Sequence, residues 1–348
     1  MSKAWPKRLI QLVAVTVAVA VLFWLLHRVG WSTIRHALTS VGWRGAAILV
    51  GLAIAESCLD GAALWTIVRG GLPWLFAVVV NAAGALLNLV LPWESGEVLK
   101  GGFLRKPLGS RDAIAGTIIW NYVFKISRPA VSALAALVGW AIGGHLVDRF
   151  TMGLILVANA AAFTPYIFLR LLIRFGAAGG LLRILRYIPG VRRHPAHWVE
   201  LARNIDAQVR TFWKTRPADY LRVFLLQAVA RSTGWLSIYA AFRLVGLPYG
   251  FPEATLMYAT MNVAEYVIAV LPARVGVSES TAFFAFKFLG LDPALGVVVY
   301  VILRVRTIVA NGLLAPFVFL DWTSHLPPPS ASSSLAPPSP GTEPGRQQ

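Results

Sequence analysis

Leu91-Pro92-Trp93-Glu94-Ser95-Gly96-Glu97 and Leu271-Pro272-Ala273-Arg274-Val275-Gly276-Val277-Ser278-Glu279 set proline, glycine and charge inside long apolar stretches, about 180 residues apart. Irregular backbone survives at membrane depth only where protein or a water-filled cavity covers it. Paired breaks in two halves of a chain therefore point to a transport site.

The surrounding sequence makes a bilayer the natural solvent. Of 348 residues, 57% are hydrophobic and 14% charged, and the mean hydropathy is +0.65. Several apolar runs are long enough to cross about 30 Å of hydrocarbon. The first, Leu9 to Leu26 behind Lys3, Lys7 and Arg8, resembles a signal peptide without a small-residue cleavage site, and is read as a retained span. Full spans are expected at about 9–26, 44–68, 113–142, 150–173, 219–245 and 294–322. Two further segments, about 72–91 and 253–271, run into the two breaks.

The two breaks sit in what reads as an internal duplication. Gly71-Leu72-Pro73 and Gly246-Leu247-Pro248 open the two segments, and Leu108-Gly109 and Leu289-Gly290 follow the breaks. After each Leu-Gly pair comes a helix of nearly thirty residues, with Lys125 and Arg128 in one copy and Arg304 and Arg306 in the other. The landmarks keep their order at offsets of 175 to 182 residues.

Charge then predicts orientation. Arg174 to Arg222 holds ten Lys or Arg against Glu200, Asp206 and Asp219, so this linker, about 174–218, belongs on the cytoplasmic side. Lys100, Arg105, Lys106 and Arg111 want the same side. If residues 72–112 form a re-entrant hairpin entered from the cytoplasm, three crossings separate the copies and make them inverted repeats. The expected fold is thus an all-α polytopic membrane protein of about six full spans plus two re-entrant hairpins; the alternative is eight full spans. A single membrane domain covers 1–322, with repeat copies about 44–142 and 219–322. Residues 323–348, rich in proline and serine, are too polar to fold.

Within the basic linker, Trp198, Leu201, Ala202, Ile205, Val209, Phe212 and Trp213 recur at helical spacing opposite Arg203, Arg210 and Lys214. This predicts an amphipathic helix lying on the inner leaflet. The net charge of +17 comes without any nucleic-acid recognition module, so nucleic acid is not an expected partner. His194 and His197 are the only close histidine pair and Cys58 the only cysteine; neither metal nor other cofactor is expected. No segment reads as a soluble catalytic domain, and no nucleotide-binding loop is present.

The residues around the breaks carry the polar chemistry. Pro92 and Pro272 end their incoming helices and free carbonyls, and Gly96 and Gly276 let backbone approach closely. Glu94, Glu97 and Lys100 in one copy, with Arg274 and Glu279 in the other, are expected to meet near the midplane. An ionised group there costs about 2.5 to 3.5 kcal/mol, so such groups must pair or be hydrated. The expected partners are Lys125, Arg128, Arg304 and Arg306, with Asn88 and Asn262 as neutral hydrogen-bonding groups. Glu56 and Asp60, at i and i+4 in the second span, share a helix face. Two readings apply to them: a shared proton suited to proton coupling, or neutralisation of arginines on the long helices.

The arrangement Asn88, Leu91-Pro92-x-x-x-Gly96-Glu97, then a basic loop, then Pro272-x-x-x-Gly276-x-x-Glu279 and a later Arg304 resembles the flippase-like family named for the membrane region of lysylphosphatidylglycerol synthase. The resemblance spans about residues 8–322. It implies a bacterial-type inner-membrane protein that moves or handles lipids: aminoacylated phospholipids in some relatives, polyprenyl-linked or hopanoid-related molecules in others. It also implies that Glu97, Glu279 and Arg304 are functional. Many relatives carry Glu-Arg where this chain reads Asn121-Tyr122, and the aminoacyl-transferase domain of the synthases is not expected here. The function expected is therefore translocation of a lipid through a polar groove, without catalysis. The alternatives are a scaffold that presents lipid to a lipid-synthesising partner enzyme, and a proton-coupled transporter of a small polar solute.

Overall fold

Apolar runs fold as helices in a bilayer because every backbone donor and acceptor is then satisfied within the segment. A computed structural model of the chain describes residues 31–68, 72–90, 95–144, 146–164, 167, 207–268 and 277–320, and no strand occurs among them. The helices are α1 (Trp31–Val68), α2 (Trp74–Val90), α3 (Ser95–Leu108), α4 (Ser110–Ile142), α5 (Arg149–Ala161), α6 (Pro217–Val245), α7 (Phe251–Ile268), α8 (Val277–Phe288) and α9 (Pro293–Leu314), which runs into a 3-10 turn (Ala315–Phe319). A further helical segment covers 207–215. The chain is an all-α membrane protein.

Local signals set the helix ends. Gly42, at φ 63°, breaks α1 and leaves a continuous helix from Trp43, so the expected span at 44–68 begins at a real discontinuity. Asp148 and Asp292 cap α5 and α9 by accepting from the amides of Thr151 at 2.7 Å and Ala294 at 2.9 Å. Among the described residues, three helices are long and apolar enough to cross a membrane: Thr39–Val68, Asp112–Ile142 and Pro293–Phe319. α6 has the length, at 29 residues, but Arg222, Arg231 and Arg243 dilute its apolar character. Of the other expected spans, 9–26 and the end of 150–173 lie outside the described residues, as does the 323–348 tail.

Each break joins a helix to a shorter one. α2 and α3 fold back on each other: the Gly96 amide donates to Asn88 Oδ1 at 2.7 Å, and farther down Lys100 Nζ donates to Asn81 Oδ1 at 2.8 Å. α8 likewise packs against α7. At 14 and 12 residues, α3 and α8 extend about 21 and 18 Å, too short to cross the hydrocarbon. The two helices that flank the first break thus pack on each other as a helical hairpin. After both hairpins the chain enters its long helix through a left-handed glycine, Gly109 at φ 81° and Gly290 at φ 70°, which gives the two Leu-Gly landmarks one conformational reason.

Two apolar cores flank the middle of the molecule. One gathers Leu64 and Ile67 of α1, Phe76 and Val80 of α2, Leu104 of α3, Trp120 and Val123 of α4, Val223 of α6 and Val318 of the 3-10 turn. The other gathers Leu49 of α1, Ile238 and Phe242 of α6, Met257 of α7, Phe286 of α8 and Val299 and Ile302 of α9. Helices α1, α6 and α9 therefore run through both, with α6 antiparallel to the other two. Outward-facing Leu221, Leu225, Val229 and Leu236 on α6, all about half exposed, give it an apolar exterior suited to lipid.

The linker corrects one expectation. Val209 and Phe212 are buried in the first core, and Trp213 packs its ring 5.0 Å from Tyr122. The apolar face of 207–215 is thus covered by α4 and its neighbours rather than by the inner leaflet; Trp198 to Asp206 lie outside the described residues. Protein offered that face a closer-packed partner than lipid.

The hairpin closure predicts a paired result. A Cβ at Gly96 would stand 2.0 Å from the Gly84 carbonyl oxygen, whereas one at Gly51 meets nothing within 4 Å. Gly96→Ala is expected to cost about 1–3 kcal/mol or more and to lower the thermal midpoint in detergent by several degrees. Gly51→Ala, in an open helical position, is expected to leave it within a degree or two or raise it slightly.

Candidate functional site

Between the two apolar cores lies a layer of charge. The middle of α1 supplies Glu56 and Asp60, the middle of α6 supplies Arg231, and α9 supplies Arg306. Arg231 binds both acids: one terminal nitrogen lies 3.2 Å from Glu56 Oε1, and the other donates to Asp60 Oδ2. Glu56 Oε2 also meets Arg306 Nη2 at 3.5 Å. Arg231 stacks over Phe124 of α4, 4.7 Å from its ring centre. One guanidinium between two carboxylates thus ties α1 to α6, and a second brings in α9.

The first hairpin connects to this layer through Lys100. Its ammonium is held by Glu97 at 3.0 Å and Asn81 at 2.8 Å and lies 3.6 Å from the centre of the Trp120 ring. Trp120 in turn donates its indole N–H to the Asp60 carbonyl at 3.0 Å. Asn88 completes the turn, donating to Glu97 Oε1 at 3.1 Å. Lys100 is only 2% exposed, so its charge is carried almost entirely by these groups; an unpaired ammonium at that depth would be prohibitive. The second hairpin enters through Asn262 of α7, which accepts from Arg128 Nε at 2.6 Å. Arg128 precedes Pro129, whose missing N–H leaves the Lys125 carbonyl without its usual helical donor.

These positions sort the expected residues. Asn88, Glu97, Lys100, Arg128, Arg306, Glu56 and Asp60 belong to the layer or border it. Lys125 and Arg304 are half-buried on α4 and α9, within a turn of Arg128 and Arg306. Pro92, Glu94, Pro272 and Arg274 lie outside the described residues, and Glu279 is described only as part of α8.

Two expectations about pairing change. Glu97 takes its cation from its own hairpin, because Lys100 stands at i+3 on the same helix α3 and so shares its face. Glu56 and Asp60 neutralise arginines, but their common partner Arg231 belongs to α6 and only Arg306 to a long helix. A guanidinium with five donors can bridge two carboxylates, which removes the need for a proton between them. Arg231, Asn81 and Trp120 were not among the expected site residues. For Arg231 the signal was available: it is the one cation in the central part of the span 219–245, and an ionisable residue at membrane depth is a functional candidate by position.

Removing the central cation gives the sharpest check on this layer. Arg231→Gln strands the buried Asp60 carboxylate and leaves Glu56 only its long contact to Arg306, and is expected to cost about 3–5 kcal/mol, seen as a large loss of monodisperse protein in detergent. Adding Glu56→Gln and Asp60→Asn removes the stranded charges and is expected to recover much of the loss. A single variant that melts like the parent protein would show that the cluster does not hold α1 against α6.

Comparison with known proteins places the chain among membrane proteins linked to lipid metabolism or transport. No curated protein and no solved structure matches it significantly. The model of one family, described as the lysylphosphatidylglycerol synthase TM region, matches residues 11–315 and so takes in both hairpins and the whole polar layer. With nearly all of its apolar sequence matched, the chain belongs to the lysylphosphatidylglycerol synthase TM region family.

Proposed function

We propose that the protein translocates a lipid with an anionic headgroup, with the headgroup crossing through the polar layer while the acyl chains stay in the bilayer. The observation that carries this reading is incomplete satisfaction. Asp60 Oδ1, Glu97 Oε2, Arg231 Nε, and Arg306 Nε and Nη1 are buried with no hydrogen-bond partner. Each such atom costs about 1–3 kcal/mol if nothing solvates it. A network built only to hold helices together gains nothing from leaving five atoms of its central groups open, whereas a hydrated groove that admits a polar headgroup needs them.

The repeated order of hairpin, left-handed glycine and long helix supports reading α2–α3–α4 and α7–α8–α9 as inverted copies whose hairpins enter from opposite sides. In this reading the protein sits in a bacterial-type cytoplasmic membrane, acts on an anionic phospholipid or a polyprenyl- or hopanoid-type lipid, and performs no chemical step. Lys100, Arg128, Arg304 and Arg306 favour the negative headgroup. A lipid gradient or a proton gradient drives the movement.

Lipid mass spectrometry on the purified protein tests this, comparing the parent chain with a folded Glu97→Gln, Glu279→Gln variant and with the bulk membrane. One lipid class should be enriched severalfold in the parent and return to bulk abundance in the variant. Bulk-like lipid in both would overturn specific headgroup binding and favour a scaffold that presents lipid to a partner enzyme.

A further inference from the structure

We infer that the guanidinium of Arg306 is the docking point for a phosphate oxyanion, and that Glu56 is its built-in competitor, releasing Arg306 when phosphate arrives and taking it back when phosphate leaves. This rests on the lipid reading above and assigns the headgroup chemistry to one side chain.

Arg306 is 8% exposed, yet only Nη2 has a partner, Glu56 at a long 3.5 Å; Nε and Nη1 have none. A guanidinium this deeply buried normally uses most of its five donors. Its two flat edges that can take a pair of oxygens are Nε with Nη2 and Nη1 with Nη2. Both include the nitrogen on which Glu56 leans. Nη2 has one hydrogen for each edge, so Glu56 takes at most one of them, but an oxyanion that binds with two oxygens at either edge brings its negative charge close to that carboxylate and competes with it through repulsion.

The displaced carboxylate has somewhere to go. Glu56 Oε1 already lies 3.2 Å from Arg231, and Thr233 Oγ1 lies 3.5 Å from Oε2. Glu56 can thus lose Arg306 without becoming an unpaired buried charge. It is also the open member of the cluster: its side chain is 25% exposed, against 11% for Arg231 and 8% for Arg306. A weak, exposed ion pair over a half-satisfied guanidinium is the arrangement that exchange requires, since a tight resident pair would exclude the ligand and a bare cation would hold it permanently. In a bilayer the abundant anion is the phosphate of the lipid headgroup.

The test is equilibrium binding to the full chain in neutral detergent, with dihexanoyl phosphatidylglycerol as probe, dihexanoylglycerol as the phosphate-free control, and inorganic phosphate as a separate ligand. Glu56→Gln removes the competitor and is expected to tighten phosphatidylglycerol binding about tenfold. Arg306→Gln is expected to abolish it. Arg306→Lys keeps the charge and thus the fold, but loses both flat edges, and is expected to weaken binding about tenfold or more. Inorganic phosphate titrated without the probe should bind Glu56→Gln about tenfold more tightly than the parent; equal phosphate affinity in the two would overturn the competition. Equal affinity across parent, Glu56→Gln and Arg306→Lys would overturn the inference while leaving lipid binding intact. If the parent binds phosphatidylglycerol and dihexanoylglycerol alike, or neither, the anionic-lipid reading itself fails.

Discussion

Arg231 holds Glu56 and Asp60 of α1 from the middle of α6, and the surrounding structure is arranged around the need to keep those three charges together. Any one of them alone at this depth would be costly, and their attraction offsets that cost only with good geometry. Geometry is supplied by the two apolar cores on either side. Leu64 and Ile67 below the acids and Leu49 above them lock α1 in register, while Val223 and Phe242 do the same for α6. The charged layer fixes how far α1 and α6 can slide, and the cores on either side hold the two helices against each other.

The first hairpin extends this constraint to the break. Lys100 is too deep to survive unpaired, so Glu97, Asn81 and the face of Trp120 must all stay in place around it. That requires α3 to run close along α2. The closeness depends on Gly84 and Gly96, where the two backbones approach within a distance no side chain permits. Trp120 then carries the hairpin's position to α1 by its bond to the Asp60 carbonyl. A displacement of α3 cannot leave the Arg231 cluster untouched. Helix α7, in the second half of the chain, enters the same layer differently, through the Arg128 bond to Asn262.

Much of the helical framework could be read from residue order because its causes are local. Proline without a donor, glycine at positive φ and long apolar runs act within a few residues; so both ends of α4 and α6, the end of α1 and the start of α9 fall near their expected places. The Leu-Gly landmarks were visible as a repeat before their left-handed turns gave the reason. The linker was misread because periodicity shows that a face is apolar but not what covers it; Phe212 and Val209 found protein. For the site, Glu56, Asp60, Glu97 and Lys100 were legible as charges where charge is costly. Their pairings were not.

The sequence by itself determined that the chain lives in a membrane, that two proline-glycine breaks interrupt it in corresponding halves, and that titratable groups are buried near them. Those conclusions follow from hydrophobicity and backbone chemistry, which each residue carries with it. Only the tertiary structure decided that Arg231 bridges Glu56 and Asp60, 175 and 171 positions away, that Glu97 turns to Lys100, and that Arg306 keeps two nitrogens open. Coulomb attraction is indifferent to which cation an acid meets. Helix packing, with its close glycine contacts and its two flanking cores, made the choice.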